Sequence, residues 1–183
     1  MKTCINGNTL ELITGDIIQQ QTDAIVNAAN GTLMGGGGVD GAIHRAAGQG
    51  LLAECKQVRK QQLNSDHLPT GEAVITGGYH LPAKYVIHTV GPVWNEHAAD
   101  QETQLAACYR NSLELAMKNK ASSIAFPSIS TGVYRFPVDL AAKTALQTII
   151  DFLKDDDFGS VVMVLFSEKD YQAYEAELNK ILE

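Results

Sequence analysis

Asn27-Ala28-Ala29-Asn30, followed by Gly35-Gly36-Gly37-Gly38-Val39-Asp40-Gly41, places two amides and one carboxylate around four consecutive glycines. Glycines let backbone N–H groups converge on a ligand with no Cβ in the way. A helical pattern opens at Val39, and a helix N-terminus adds partial positive charge, so the segment suits a phosphate or a pyrophosphate. Strand and helix signals flank the glycines closely, which sets the run apart from a flexible linker.

Gly36-x-Gly38-x-x-Gly41 formally matches a dinucleotide fingerprint. That fingerprint starts directly after a strand and is answered by an acidic residue ending the next strand, whereas here about seven residues part strand from glycines. A second helical pattern also stands where that next strand belongs. A nicotinamide-dependent oxidoreductase is therefore disfavoured.

Asp40 has two readings: an N-cap or first-turn acid of its helix, which is ordinary there, or a carboxylate facing the ligand. The helix terminus favours its ionised form, so orienting a water or a sugar hydroxyl suits it better than strong proton abstraction. Asn30 either caps its loop or offers its amide to a sugar hydroxyl. A second loop, Ser128-Ile129-Ser130-Thr131-Gly132-Val133-Tyr134, combines small polar residues with a glycine and again offers backbone donors for phosphate. Tyr134 would cover a ribose, hold a water, or simply pack. Gly15-Asp16-Ile17 could present a carboxylate to an exocyclic amine, or Asp16 could be an N-cap.

Other reactive residue types are read as structural. His44 falls on the Asp40 helix and His88 within a strand, and neither has the spacing of a zinc site. Cys55 and Cys108 fall on helical faces and suit the core better than nucleophilic attack. No metal or cofactor is expected.

The elements that must position these residues alternate. Thr9–Ile13, Ala24–Ala28, Ala73–Thr76, Tyr85–Val90, Ser123–Phe126 and Val161–Phe166 read as strands. Helices are expected over Asp40–Ala47, Leu51 to Gln62, Leu105–Ala116, Ala141–Leu153 and Tyr171–Ile181. Such alternation implies an α/β fold: a three-layer α/β/α arrangement around a central mixed, largely parallel sheet. Ligands of such sheets sit outside the strands' carboxyl ends, where both loops lie. The 183 residues read as one domain spanning 1–183.

Charge and cysteine content narrow the function. Fourteen Lys plus Arg against 21 Asp plus Glu give a net charge of −7. Nucleic acid is thereby disfavoured as the main ligand, since it requires clustered basic residues. One pyrophosphate is not, because backbone amides can hold it. Segments 27–41 and 128–134 contain Asp40 as their one charged residue. Three scattered cysteines form no disulfide framework, so a reducing cytoplasmic setting is expected. No apolar run approaches a membrane span, and the N-terminal residues lack a signal-peptide core.

Together these segments resemble the macrodomain family, and its MacroD-type hydrolase branch in particular, which includes bacterial O-acetyl-ADP-ribose deacetylases. The carriers are Gly15-Asp16-Ile17, Ile25–Asn30, Gly35–His44, Ala46-Ala47-Gly48, Tyr85–Pro92 and Phe126–Tyr134, in order over nearly the whole chain. The resemblance implies ADP-ribose binding above the sheet. Asp16 and the Ile17 backbone would hold the adenine. Gly37, Gly38, Val39 and the loop of Ser130, Thr131, Gly132, Val133 and Tyr134 would grip the pyrophosphate. Asn30 and Asp40 would address the distal ribose as the catalytic pair. The implied substrates are mono-ADP-ribosyl esters on Asp or Glu of modified proteins, and O-acetyl-ADP-ribose. The proton of the attacking water would pass to Asp40 or to a substrate phosphate. Arg135 departs from the glycine common at that point, and either reaches a phosphate or points into solvent. A reader that binds ADP-ribose without cleaving it is the alternative, because one fold hosts both.

Overall fold

The computed structural model describes residues 1–183. Its strands are Lys2–Ile5 (β1), Asn8–Thr14 (β2), Ala24–Ala28 (β3), Ala73–Gly77 (β4), Tyr85–Thr89 (β5), Ser123–Phe126 (β6) and Ser160–Leu165 (β7). They form a seven-stranded sheet in the order β1-β2-β7-β6-β3-β5-β4. The inner pairings β2–β7, β7–β6, β6–β3 and β3–β5 are parallel; the edge pairings β1–β2 and β4–β5 are antiparallel. This is the mixed, largely parallel sheet expected.

One strand was not anticipated. β1 is mostly exposed or half-buried, so it carries no apolar signature. Its signal is Asn6-Gly7, whose φ values of 52° and 81° turn the chain tightly back onto β2, as two-residue hairpins require.

The helices are Gly38–Ala47 (α1), Gln49–Gln62 (α2), Gln101–Lys118 (α3), Val138–Asp155 (α4) and Glu168–Leu182 (α5). α1 and α2 cover one face of the sheet through Ile43, Leu51, Cys55 and Val58. α3, α4 and α5 cover the other through Leu105, Leu146, Tyr174 and Leu178. β3 alternates between these two cores, with Ala24 and Val26 on one side and Ile25 on the other.

The order of crossovers creates the site. β3 and β6 are parallel neighbours. The chain leaving β3 passes to α1 on one face, and the chain leaving β6 passes to α4 on the opposite face. Two adjacent strands whose exits diverge leave a crevice at their carboxyl ends.

Candidate active site

The crevice is a cavity of about 510 Å³, within the range of small-molecule sites. Asn30, Gly37, Gly38, Val39 and Asp40 line it from one side; Ser130, Gly132, Val133 and Tyr134 line it from the other. Asp40 is the one charged residue in this lining. Asp16, Ile17 and Thr131 stand outside the cavity wall.

The first wall is built by glycine. Gly35 and Gly38 have φ of +89° and +57°, which favours a residue without Cβ. A Cβ on Gly41 would overlap the Gly36 carbonyl, so the glycine run lies flat on the first turn of α1. Gly37 is the N-cap and offers no side-chain acceptor. Gly41 N–H bonds Gly37 O at 3.2 Å, while helix geometry leaves the N–H groups of Gly38, Val39 and Asp40 unclaimed. These donors, at the positive end of the helix dipole, favour an anion.

Asp40 is not a cap. It is the acid in the first turn of α1, only 4% exposed, with the helix's own His44 one turn on. Its Oδ1 accepts from Asn27 Nδ2 at 2.9 Å, and its Oδ2 accepts from the Asn30 backbone N–H at 3.5 Å. Asn30 caps its own loop, one of the two roles expected of it. Its Oδ1 accepts from the backbone N–H and the hydroxyl of Thr32, and its Nδ2 donates to Gly35 O at 2.8 Å. The second Nδ2 proton remains for a ligand in the cavity that Asn30 lines.

The second wall follows β6. Ser130 is 6% exposed and lines the cavity with φ +69°. Its hydroxyl has no protein partner. The N–H groups of Gly132, Val133 and Tyr134 donate to no protein acceptor, whereas Arg135 N–H bonds Gly132 O at 2.9 Å and Phe136 N–H bonds Ser130 O at 2.9 Å. The loop is held from below by two buried tyrosines. Tyr109 Oη accepts from Ile129 N–H at 3.1 Å, and Tyr174 Oη lies 2.7 Å from Ser128 Oγ. Thr131 Oγ1 donates to Ser128 Oγ at 2.8 Å, which explains its absence from the cavity wall.

Asp16 is the N-cap of the short 3-10 turn Ile17–Gln19, accepting from Ile18 N–H at 3.1 Å. The Ile17 side chain is buried in the α1/α2 core. Beside them, Gly15 N–H bonds Leu165 O at 3.0 Å, which brings Phe166 to the same sheet edge. Phe166 is 88% exposed, an unusual cost for an aromatic ring unless something stacks on it. Arg135 lies outside the central cavity, in a neighbouring hollow with Trp94 and His97.

Sequence reasoning missed several contributors. The sequence pattern gives Asn27 no role of its own, and His44 and His88 both read as structural from it. His44 Nε2 stands 3.4 Å from Asp40 Oδ1. His88 is fully buried, and burial, with the His44 charge, pulls its imidazole down to about 3. The available signal for Asn27 was an amide inside an otherwise apolar strand, since buried polar groups require partners. Gly36, Gly91 and Ser128 also line the cavity. No three His, Cys, Asp or Glu side chains are grouped to hold a metal ion, and no helix is long and apolar enough to cross a membrane.

Residues 26–145 match the Macro domain family. An O-acetyl-ADP-ribose deacetylase of Escherichia fergusonii is 56% identical over 144 residues, 79% of this chain and 80% of that relative. The ADP-ribose glycohydrolase MACROD2 of Xenopus laevis is 51% identical over 169 residues, 91% of this chain and 39% of that longer relative. The solved macrodomain of Oceanobacillus iheyensis with ADP is 57% identical, with a TM-score of 0.97 over 100% of this chain and 96% of that one.

Proposed function

The chain belongs to the Macro domain family, and on that premise we propose that it hydrolyses esters of ADP-ribose. Its substrates are O-acetyl-ADP-ribose and proteins carrying mono-ADP-ribose on Asp or Glu. One observation carries this: a nearly buried carboxylate, Asp40, borders a cavity whose two walls offer unclaimed backbone N–H groups.

The pyrophosphate bridges the two walls, where amides of α1 and of the Gly132–Tyr134 loop neutralise it without a basic side chain. The adenine lies toward Asp16 and Phe166, and the distal ribose toward Asn30 and Asp40. Water positioned by Asp40 and Asn30 adds to the ester, and the products are ADP-ribose and the free acid. Fixed orientation of that water is the main contribution of the site. The acidic balance of the chain suits one small anion rather than a nucleic acid. The three free thiols suit a reducing cytoplasm.

The test is incubation with O-acetyl-ADP-ribose and, separately, with a glutamate-linked ADP-ribosyl protein. Release of acetate or of ADP-ribose is expected. Tight ADP-ribose binding with both esters intact would make the chain a reader instead.

A further inference from the structure

We infer that His88 is a positioning residue for this hydrolysis: it fixes the Asn27 amide, and through it the Asp40 carboxylate, without touching substrate. The inference rests on the ester-hydrolase reading for its kinetic consequence, and on side-chain geometry for its premise.

On the sheet face covered by α1 and α2, Asn27 of β3 and His88 of β5 are direct register partners. Thr76 of the next strand, β4, completes a polar row, and all three are buried. The surrounding face is apolar, with Ile25, Val74 and Val86 in the same core. The row has one outlet to the cleft, Asp40, because neither Asn27, Thr76 nor His88 lines the cavity.

One proton arrangement satisfies the contacts. Asn27 Nδ2 lies 2.9 Å from Asp40 Oδ1 and 3.1 Å from His88 Nδ1, and its two protons serve both. Nδ1 of His88 must then accept, so the ring proton sits on Nε2 and donates to Thr76 Oγ1 at 2.9 Å. Thr76 passes its own proton to the Gly77 carbonyl at 3.1 Å. The other groups facing the ring are Cys55, 3.9 Å from Nε2, and His44, with ring centroids 6.4 Å apart. Asn27 Oδ1 has no partner, so nothing but His88 and Asp40 prevents the amide from turning over. A turned amide would set oxygen against Asp40 Oδ1 and push the carboxylate from its place beside Asn30.

The test compares His88→Asn, whose amide oxygen stands at the Nδ1 position, with His88→Leu and His88→Gln, which place no acceptor there. All three should bind ADP-ribose within about twofold of wild type. His88→Leu and His88→Gln should lose ~10–100-fold in kcat at unchanged KM, the scale of a misplaced catalytic group. His88→Asn should recover most of that loss. In 1H–15N spectra of the unliganded chain, the Asn27 side-chain amide should be protected from exchange in wild type and in His88→Asn, and unprotected in the other two. Wild-type kcat in His88→Gln, or equal losses in His88→Asn and His88→Gln, would overturn the inference. The glutamine variant decides the matter should the leucine variant not fold. An inactive wild type would reject the hydrolase reading alone, and the amide spectra would still decide whether His88 orients Asn27.

Discussion

Gly91 lies so close to Ser130 that a Cβ on Gly91 would overlap the Ser130 Oγ and stand 2.7 Å from Ile129 Cγ2. The turn just after β5 is therefore the floor on which the loop of residues 128–134 rests. Gly91→Ala should displace that loop. Overpacking of this kind costs about 1–3 kcal/mol, and a tenfold or greater weakening of ADP-ribose binding is expected, about 1.4 kcal/mol. Isothermal titration measures it; wild-type affinity would show that the loop does not depend on this floor.

Ser130 should show opposing effects on stability and binding. Its φ of +69° is unfavourable for a residue with a side chain, by roughly 1–2 kcal/mol. Ser130→Gly should raise the melting temperature by a few degrees. It also removes the buried hydroxyl that packs against Gly91 and loosens the loop whose N–H groups line the cavity, so ADP-ribose affinity should fall. Calorimetry of the free and liganded variant separates the two.

Asp40→Ala should lower ester turnover by at least ~100-fold, a usual scale for such groups. The unclaimed backbone N–H groups of both cavity walls are untouched, so ADP-ribose binding should persist. The variant also strands Asn27 Nδ2, which would lose its 2.9 Å acceptor. Turnover assays beside direct binding check both outcomes, and unchanged turnover would reject the role given to Asp40.

Acid stability should carry the mark of His88. Burial holds its folded value at about 3, below the ordinary 6.5. As pH falls through about 6.5 the unfolded chain takes up a proton that the native chain refuses until about 3, so stability decreases across that window. Above it this contribution is complete and constant. Melting temperatures measured across the range should show a shallower acid slope in His88→Asn than in wild type.

Tyr174→Phe tests whether the C-terminal helix supports the cleft. The hydroxyl lies 2.7 Å from Ser128 Oγ, and such a bond contributes about 1 kcal/mol. The variant should lose about that much stability and bind ADP-ribose a few-fold more weakly. An unaltered affinity would confine α5 to the core.

Much of the site is local and was legible for that reason. Glycines at 35–38 followed by a helix start announce unclaimed N–H groups, because backbone freedom and the helix dipole act within a few residues. The small polar loop after β6 speaks in the same way, and alternating strand and helix patterns place both loops at one end of a parallel sheet. Local signals also failed locally: Asn6-Gly7 marked a hairpin, but the weakly buried β1 beside it had no apolar pattern to confirm it.

What the chain's order alone could not decide is which distant residues meet. Asn27 and His88 are 61 residues apart, and their pairing follows from the register of β3 on β5. The approach of Gly91 to Ser130 requires β5, β3 and β6 to lie side by side, and the support of Ser128 by Tyr174 requires α5 to pack on the same face as α3. Thr131 and Asp16 show the converse, since each meets a nearby partner that keeps it out of the cavity wall. The residue types at 27, 40 and 88 were fixed by sequence, but register decides that they touch. A one-residue slip of β5 would turn His88 to the opposite face of the sheet and leave the Asn27 amide without the acceptor that orients Asp40.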